Sequence, residues 1–343
     1  MSGNDLLILK GPEVNSLLAQ QEHELMDRVA EAYKLHALGL DSLPQSVFLG
    51  FPENPASRII ALPAYLGGDF DVGGLKWISS FPANIDRGLD RASGVVVLNS
   101  METGWPEAVI EASVINAKRT AASAALAAKH LSRNDLVEHV ALVGCGIINF
   151  EILRFLKVIW PGMDELTLLD TRQERAGYFG QKCRETFKIS KIHVAADMNE
   201  LLASASLISF ATTAARPHVF DLSRCPQGTT ILHISLRDFS PEVIVSSVNI
   251  VDDLDHVCRA QTSLHLAEQL VGNRKFISAT LADILLDRKS LNSGDGTPKV
   301  HIFSPFGLGI LDLAVGTLVR DLALRQAKGT LIPSFVPAPW SCV

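Results

Sequence analysis

The chain has 343 residues, of which 47% are hydrophobic and 20% are charged, so it can bury a large core and is expected to form two domains. Its formal net charge is -6, and the sequence contains no long block of like charges. Both features argue against nucleic acid or an anionic membrane surface as a partner. No apolar run has membrane-spanning length, the start lacks a secretory signal pattern and the five cysteines form no Cys-x-x-Cys pair, which together favour a cytoplasmic protein with reduced thiols and no metal site.

The first third of the chain predicts a mixed domain of helix and antiparallel strands. A helical pattern near residues 24–40 is followed by short apolar runs at 58–64, 74–79 and 94–98, which Gly, Pro and Asp turns separate. Residues 106–131 are rich in alanine and predict one long helix. We expect this first domain to cover residues 1–125 and to be completed by residues 308–343, which are helical to about residue 326.

The middle of the chain alternates short aliphatic runs with amphipathic stretches. The aliphatic runs lie at residues 140–143, 166–169, 192–195, 207–211, 230–234 and 249–251. Runs this apolar are typical of strands buried on both faces, as in a parallel sheet with helices on each side. The sequence therefore predicts an α/β fold, a Rossmann-type doubly wound parallel sheet over residues 126–307.

A glycine-rich turn, Gly144-Cys145-Gly146, follows the first of these runs and precedes a helical pattern at residues 150–160. A strand that ends in such a turn aims the amide groups of a helix N-terminus at a pyrophosphate, and glycine lets the phosphate approach closely. The pattern predicts a dinucleotide-binding site.

Two residues beyond the turn bear on how the dinucleotide is held. Asp170 ends the next aliphatic run, where a carboxylate accepts hydrogen bonds from the adenosine ribose and repels a 2′-phosphate, so NAD is favoured over NADP. Asn149 stands where the fingerprint usually has a small residue, and we expect it to loosen the packing of helix on strand.

Three cations stand in apolar or small-residue surroundings before the nucleotide-binding region, namely Arg58, Lys76 and Arg119. A buried cation without a partner is costly, so such a residue either reaches water or meets an anion. One interpretation is a clamp for a substrate carboxylate, and the other is a solvated position on a strand or helix. The residues alone leave both interpretations open.

Several segments in this order resemble the ornithine cyclodeaminase/mu-crystallin family. They are Gly-Leu-Lys76-Trp, Arg91-Ala-Ser-Gly94, Glu111-Ala-Ser-x-Ile, Arg119-Thr120-Ala-Ala, Gly144-Cys-Gly146 and Phe303-x-x-x-Gly307-x-Gly309-x-x-Asp312. Within the family, the sequence around Arg58, Lys76 and Arg91 is most similar to that of the branch that oxidises N-(2-amino-2-carboxyethyl)-L-glutamate. The resemblance implies an NAD-dependent oxidoreductase acting on an amino-acid CH–NH bond. It also implies a homodimer, with substrate binding and dimerisation assigned to the first domain.

The resemblance implies roles for individual residues. Substrate contacts are implied for Arg58, Lys76, Arg91, Arg119, Asp238 and Phe306, and catalysis for Asp238 and Lys76. Cofactor contacts are implied for Arg91, Arg119, Thr120, Gly144, Gly146, Ile147, Ile148, Asp170, Thr212, Ser235, Leu236, Arg237 and Gly307. The segment Ser235-Leu-Arg237-Asp238 stands where cyclodeaminases carry Asp-x-Pro-Gly-Lys, and it lacks that lysine.

The implied reaction is the NAD-dependent oxidative hydrolysis of N-(2-amino-2-carboxyethyl)-L-glutamate to 2-oxoglutarate and L-2,3-diaminopropionate, a precursor for siderophores or peptide antibiotics. Asp238 is the expected proton-transfer group, and Arg91, Arg237 and His233 offer further positive charge for a substrate with three carboxylates. Three alternatives stay open: an ornithine cyclodeaminase, a ketimine reductase or alanine dehydrogenase, and a mu-crystallin-like protein that binds NAD(P)H.

Overall fold

A computed structural model describes residues 4–132, 136–289, 300–337 and 340. The chain divides into two units, one made of residues 1–119 with 308–343 and the other of residues 120–307. Across the described ranges, each helix is too short or too polar to cross a membrane.

The N-terminal part of the chain contributes strands and three helices. The strands are β1 (Leu6–Leu9), β2 (Asp41–Ser42), β3 (Val47–Phe51), β4 (Asn54–Leu66), β5 (Val72–Ser80), β6 (Ala92–Asn99) and β7 (Pro106–Glu111). The helices are α1 (Gly11–Leu17), α2 (Glu22–Ala37) and α3 (Ala112–Leu131), with a 3-10 turn at Pro82–Arg87.

Strands and helices then alternate along the rest of the chain. The strands are β8 (His139–Val143), β9 (Glu165–Leu169), β10 (Lys191–Val194), β11 (Leu207–Phe210), β12 (Thr230–His233), β13 (Val248–Val251), β14 (Ile277–Thr280), β15 (His301–Ser304) and β16 (Thr330–Ile332). The helices are α4 (Ile147–Ile159), α5 (Gln173–Phe187), α6 (Met198–Ser204), α7 (Pro241–Ser246), α8 (Leu254–Val257), α9 (Ser263–Val271), α10 (Leu281–Leu285) and α11 (Gly309–Arg325).

The first unit is a mixed sheet with α11 on one face. The strand order is β16-β1-β7-β6-β5-β4-β2, and β3 also pairs with β4. In the antiparallel register Leu62 lies opposite Lys76, and Lys76 lies opposite Val96, so these three side chains share a face. Helix α11 covers that face, because a Cβ on Gly309 would lie 3.0 Å from the Leu62 carbonyl oxygen and one on Gly316 would lie 3.4 Å from Val96. Lys76 is therefore carried on the covered face of the sheet.

The prediction of one helix over residues 106–131 is wrong at its start. Residues Pro106–Glu111 form β7, which pairs with β6, and the helix begins only at Ala112. Ala108 and Ile110 are buried in alternation along this strand, which is the period of a sheet and not of a helix. Pairing with β6 therefore determines that residues 106–111 form a strand, although the alanine-rich sequence that follows them favours a helix.

The second unit confirms the predicted Rossmann-type fold class. Its strand order is β10-β9-β8-β11-β12-β15-β13-β14, and every pairing in it is parallel. Strands β14 and β15 were not predicted, because neither contains two adjacent aliphatic residues. Strand β8 is followed in the chain by β9, which lies on one side of it, while β11 lies on its other side. The strand order therefore reverses at β8, and parallel sheets of this kind bind ligands at the carboxyl ends of the strands beside such a switch point.

Candidate active site

Two cations of the first unit converge on one buried carboxylate. Lys76 Nζ lies 2.6 Å from Asp312 Oδ2, and Arg119 Nε donates to Asp312 Oδ1 at 3.1 Å. Asn116, one turn before Arg119 in α3, accepts from Lys76 Nζ at 3.2 Å and from Arg119 Nη2 at 2.8 Å. The side chains of Lys76, Arg119 and Asp312 are 2%, 9% and 0% exposed. This Lys76–Arg119–Asp312 cluster contains two positive charges and one negative charge. Its net charge is therefore positive and can attract an anion.

Burial has a large effect on Lys76. It lowers the pKa of the ammonium to about 8, the charge of Arg119 acts in the same direction, and the ion pair with Asp312 opposes both. A lysine with this pKa can exchange a proton near neutral pH, which suits the catalytic role that the family resemblance implies.

The Lys76 shift predicts a pH-dependent stability. The unfolded lysine keeps an ordinary pKa of about 10.4, so above pH 8 the unfolded chain binds more protons than the folded chain. The contribution of Lys76 to the free energy of unfolding should therefore increase as pH rises from about 8 to about 10.4. Urea unfolding at several pH values should show a less positive pH slope in Lys76→Met than in the parent protein. Equal slopes would contradict the shift, and the comparison removes the contribution of other groups that titrate there.

The remaining predicted cations of this unit lie near each other. Arg58 is opposite Ser80 in the register of β4 and β5, and Arg91 Nη1 donates to Ser80 Oγ at 2.8 Å. Burial lowers the pKa of Arg91, and the charge of Arg58 lowers it further. The structure thus pairs Lys76 with Arg119 about Asp312 and places Arg58 beside Arg91. Thr120 follows Arg119 in α3 and is buried.

The glycine turn of the second unit has the geometry of a phosphate cradle. Gly144 has φ +90°, and a Cβ there would lie 2.5 Å from the carbonyl oxygen of Ala211, so only glycine fits. A Cβ on Gly146 would meet only the far end of Arg175, at 3.8 Å, so this side of the turn is open. Helix α4 begins directly afterwards at Ile147 and Ile148, whose backbone amides lie in the first turn and have no partner within the helix.

Asp170 is fixed against this turn. Its Oδ2 accepts from the backbone amide of Cys145 at 2.8 Å, and its Oδ1 accepts from the amide of Arg172 at 3.0 Å. Arg175 Nε donates to the Cys145 carbonyl at 3.0 Å. Each carboxylate oxygen has a second lone pair, so Asp170 keeps the capacity to accept from a ribose hydroxyl.

Asn149 tightens the turn, so the expectation that it loosens the packing of helix on strand is wrong. The side chain is fully buried and its Nδ2 donates to the carbonyls of Val143 and Gly144 at 2.9 and 2.7 Å. Its Oδ1 accepts from Ser209 Oγ at 2.7 Å. One amide thereby joins the end of β8, the glycine turn and β11, a role that a small apolar residue cannot fill.

Removing this amide should be costly. Asn149→Ala leaves two buried carbonyls and one buried hydroxyl without these partners, so we expect the free energy of unfolding to fall by about 2 to 3 kcal/mol. Denaturant unfolding of Asn199→Ala, a change at an exposed asparagine of α6, provides the control and should differ from the parent by less than about 0.5 kcal/mol. A small effect of both variants would show that the turn does not depend on Asn149.

Asp238 is the centre of a buried polar network at the end of β12. Its oxygens accept from Thr212 Oγ1 and Ser235 Oγ, each at 2.5 Å, and its side chain is 0% exposed. His233 Nε2 lies 3.2 Å from Oδ2, and His218 Nε2 lies 3.8 Å from Oδ1. Burial acts to raise the pKa of Asp238, but the hydrogen bond and charge of His233 and the two hydroxyls outweigh it and lower the pKa to about 2.

The loop around Asp238 is organised by backbone geometry. Leu236 has φ +66°, its carbonyl accepts from the Ser263 amide at 2.7 Å, and Arg237 Nη2 donates to the Ala260 carbonyl at 2.7 Å. Helix α7 is capped by Ser240, whose side chain accepts from the Val243 amide, so Asp238 is not the helix cap. Its burial therefore has no capping explanation and is consistent with a role in the chemistry of the site.

Phe306 and Gly307 are held by an acid that we did not predict. Their amides donate to the two oxygens of Asp252 at 2.9 and 2.7 Å. Asp252 follows β13, and an acid directly after a buried strand was the available signal. Asn116 and His218 were also missed, since neither has a sequence pattern of its own.

Comparisons with known proteins show which family the chain resembles over its length. Residues 6–327 match the model of the ornithine cyclodeaminase/mu-crystallin family. The chain is 29% identical over 337 residues to an alanine dehydrogenase of Archaeoglobus fulgidus, which covers 96% of this chain and 99% of the relative. It is 27% identical over 335 residues to the N-((2S)-2-amino-2-carboxyethyl)-L-glutamate dehydrogenase of Staphylococcus aureus, which covers 96% and 98%.

A solved structure shows the same fold over nearly the whole chain. An archaeal alanine dehydrogenase dimer with bound NAD superposes with a TM-score of 0.84 at 29% identity, covering 96% of this chain and 99% of that chain. With the match of the family model over most of the sequence, it confirms the resemblance that the motifs indicated. The chain belongs to the ornithine cyclodeaminase/mu-crystallin family.

Proposed function

We propose that the chain catalyses the oxidative hydrolysis of N-(2-amino-2-carboxyethyl)-L-glutamate. The substrate, water and oxidised NAD are consumed, and 2-oxoglutarate, L-2,3-diaminopropionate, reduced NAD and a proton are formed. The observation that carries the reaction class is the buried, ionised Asp238 at the carboxyl edge of the sheet that also presents the glycine turn. The relationship to the staphylococcal dehydrogenase supports this substrate, and the relationship to alanine dehydrogenase supports amino-acid oxidation in general.

NAD fits the residues of the second unit. The open side of Gly146 and the first amides of α4 suit a pyrophosphate, and Asp170 suits a ribose with two free hydroxyls. When bound, NAD supplies the acceptor for the hydride that leaves the α-carbon of the glutamate portion.

The chain's own residues account for the other requirements of the reaction. We assign the α-carboxylate of the glutamate portion to the net positive charge of the Lys76–Arg119–Asp312 cluster. Loss of hydride from a secondary amine leaves a cationic iminium, and an ionised Asp238 supplies the fixed negative charge that stabilises it. Water then adds to the imine carbon, and its proton leaves through the hydrogen-bonded hydroxyls and histidines around Asp238.

We also propose that the protein acts as a homodimer in the cytoplasm. Val47 and Leu49 of β3 and Trp77 of β5 lie on the same face of the sheet and are 64%, 46% and 38% exposed, an apolar surface that a second copy would cover. The related archaeal enzyme is a dimer, which supports the same assembly here. The free cysteines Cys145, Cys183, Cys225 and Cys258 fit a reducing compartment.

A substrate panel tests the proposal against its rivals. The purified protein is mixed with NAD and each candidate amino acid, and reduced nicotinamide is followed by its absorbance while products are identified by mass spectrometry. We expect net NADH only with the glutamate conjugate. Proline and ammonia from ornithine without net NADH would show a cyclodeaminase, and NADH with alanine would show an alanine dehydrogenase. Tight NADPH binding without turnover of any substrate would favour a mu-crystallin-like binding protein.

A further inference from the structure

Residues 256–263, which we call the α8–α9 loop, form a closed segment at the carboxyl edge of the second unit's sheet. Helix α8 follows β13, and the Thr262 hydroxyl donates to the Val257 carbonyl at 2.5 Å, so the two ends of the loop meet. The Ser263 amide donates to the Leu236 carbonyl at 2.7 Å. The α8–α9 loop is therefore bonded to the segment that carries the candidate catalytic acid.

Three buried polar atoms of this loop have no hydrogen-bond partner among the described residues. They are His256 Nε2, Arg259 Nη1 and Ser263 Oγ. Within the described ranges, no acid forms an ion pair with Arg259, and the acids of the flanking helices, Asp255 and Glu268, are both paired with Arg274. Buried polar groups and cations without partners are costly, and a bound ligand that supplies the partners removes this cost.

The backbone of the loop is strained at its centre. Ala260 and Gln261 have φ +53° and +55°, in the left-handed region that residues with a side chain rarely adopt. The Thr262 amide donates to the Arg259 carbonyl at 3.2 Å, and Arg237 Nη2 donates to the Ala260 carbonyl at 2.7 Å, so these bonds hold the turn. Backbone strain of this kind is concentrated at ligand-binding and catalytic sites.

The hydrogen bond of His256 determines which ligand group its other ring nitrogen can bind. Asp253 Oδ1 accepts from His256 Nδ1 at 2.7 Å and from the His256 amide at 2.7 Å, so the ring proton lies on Nδ1. In the neutral ring, Nε2 then has a lone pair that can accept from an ammonium group. Arg259 and Ser263 can donate to a carboxylate. The three groups together match both charges of an amino-acid head group.

We propose that the α8–α9 loop binds the amino-acid head group of the aminocarboxyethyl portion of the substrate, with its carboxylate at Arg259 and Ser263 and its primary ammonium at His256. This inference rests on the proposed function and names the residues that recognise the diaminopropionate end. The glutamate portion does not supply such a head group, because its nitrogen is the secondary amine that is oxidised. Strand β13 lies on the far side of β8 from β9, so the loop lies away from Asp170 and the adenosine ribose.

The kinetic test uses the full-length enzyme with NAD, the glutamate conjugate and two analogues. N-(2-aminoethyl)-L-glutamate lacks the carboxylate of the head group, and N-(2-carboxyethyl)-L-glutamate lacks its ammonium. For the parent we expect kcat/KM to favour the conjugate over each analogue by on the order of 10- to 100-fold. Arg259→Gln should lose only the preference over the aminoethyl analogue, and His256→Leu only the preference over the carboxyethyl analogue.

This crossed pattern separates recognition from a structural role. A variant that merely disturbs the loop lowers kcat/KM for all three substrates alike. Equal losses for the three substrates, full retention of both preferences in the variants, or weakened NAD binding would overturn the subsite. The control Arg184→Gln changes an exposed arginine of α5 and should match the parent with every substrate.

A binding measurement separates failure of the subsite from failure of the proposed function. Calorimetric titration of L-2,3-diaminopropionate into the enzyme saturated with NAD needs no turnover. Arg259→Gln and His256→Leu should each weaken binding by on the order of 10-fold or more, with Arg259→Lys intermediate because the charge remains but the paired donors are lost. If binding depends on these residues while the conjugate is not turned over, the subsite stands and the proposed function falls. No binding to the parent, or unchanged binding in the variants, overturns the subsite.

Discussion

Asp312→Asn is expected to lower the free energy of unfolding by about 3 to 5 kcal/mol, the range found when one partner of a buried ion pair is removed. The change leaves Lys76 and Arg119, which are 2% and 9% exposed, as like charges with no carboxylate between them. Chemical denaturation, followed by circular dichroism, measures the effect directly.

Two comparisons make this result specific to the buried charge. Asp321→Asn removes an acid from the same helix, but its side chain is 39% exposed in its pair with Arg320, so we expect a change below about 1 kcal/mol. Lys76→Met added to Asp312→Asn removes one of the two stranded cations and should recover part of the loss. If Asp312→Asn unfolds at the same denaturant concentration as the parent, the cluster does not stabilise the fold as described.

Asp238→Asn should reduce turnover by on the order of 100- to 10,000-fold while leaving NAD affinity nearly intact. The amide keeps the shape of the carboxylate but carries no negative charge, and it can no longer accept from both Thr212 and Ser235 with the original geometry. The features assigned to NAD, the glycine turn and Asp170, are not altered by this change. The measurements are kcat with the glutamate conjugate and the NAD dissociation constant by fluorescence.

The control for this variant is Asp221→Asn, which changes an exposed aspartate whose oxygens accept from Ser223 within a local turn. It should retain parental turnover. If Asp238→Asn loses NAD binding together with turnover, the residue is structural. If it retains parental turnover, the fixed negative charge is not used in the reaction.

Features encoded by neighbouring residues were predictable from the sequence. The glycine turn, the strand before it and the acid that ends the next strand occupy a short stretch, and each follows from local sterics and the period of apolar residues. The expected fold class of the second unit is confirmed by the parallel order of its sheet. The effect of Asn149 was mispredicted, because its partners Gly144 and Ser209 come together only when the sheet forms.

Contacts between distant segments could not be predicted in this way. Arg119 and Asp312 are 193 residues apart in sequence, and no local pattern indicates that α11 brings this acid onto the face that carries Lys76. Of the four predicted cations, Lys76 and Arg119 share the carboxylate of Asp312, whereas Arg58 lies beside Arg91. This division depends on strand register. The conformation of β7 likewise depends on its pairing with β6.

Isotope transfer tests the central claim most directly. The glutamate conjugate is prepared with deuterium on the α-carbon of its glutamate portion and incubated with the enzyme and NAD, and the products are analysed by mass spectrometry. We predict reduced NAD that carries the deuterium, together with equal amounts of 2-oxoglutarate and L-2,3-diaminopropionate. Product formation with the deuterium retained in the organic acid or released to water, and none in the nicotinamide, would contradict the account.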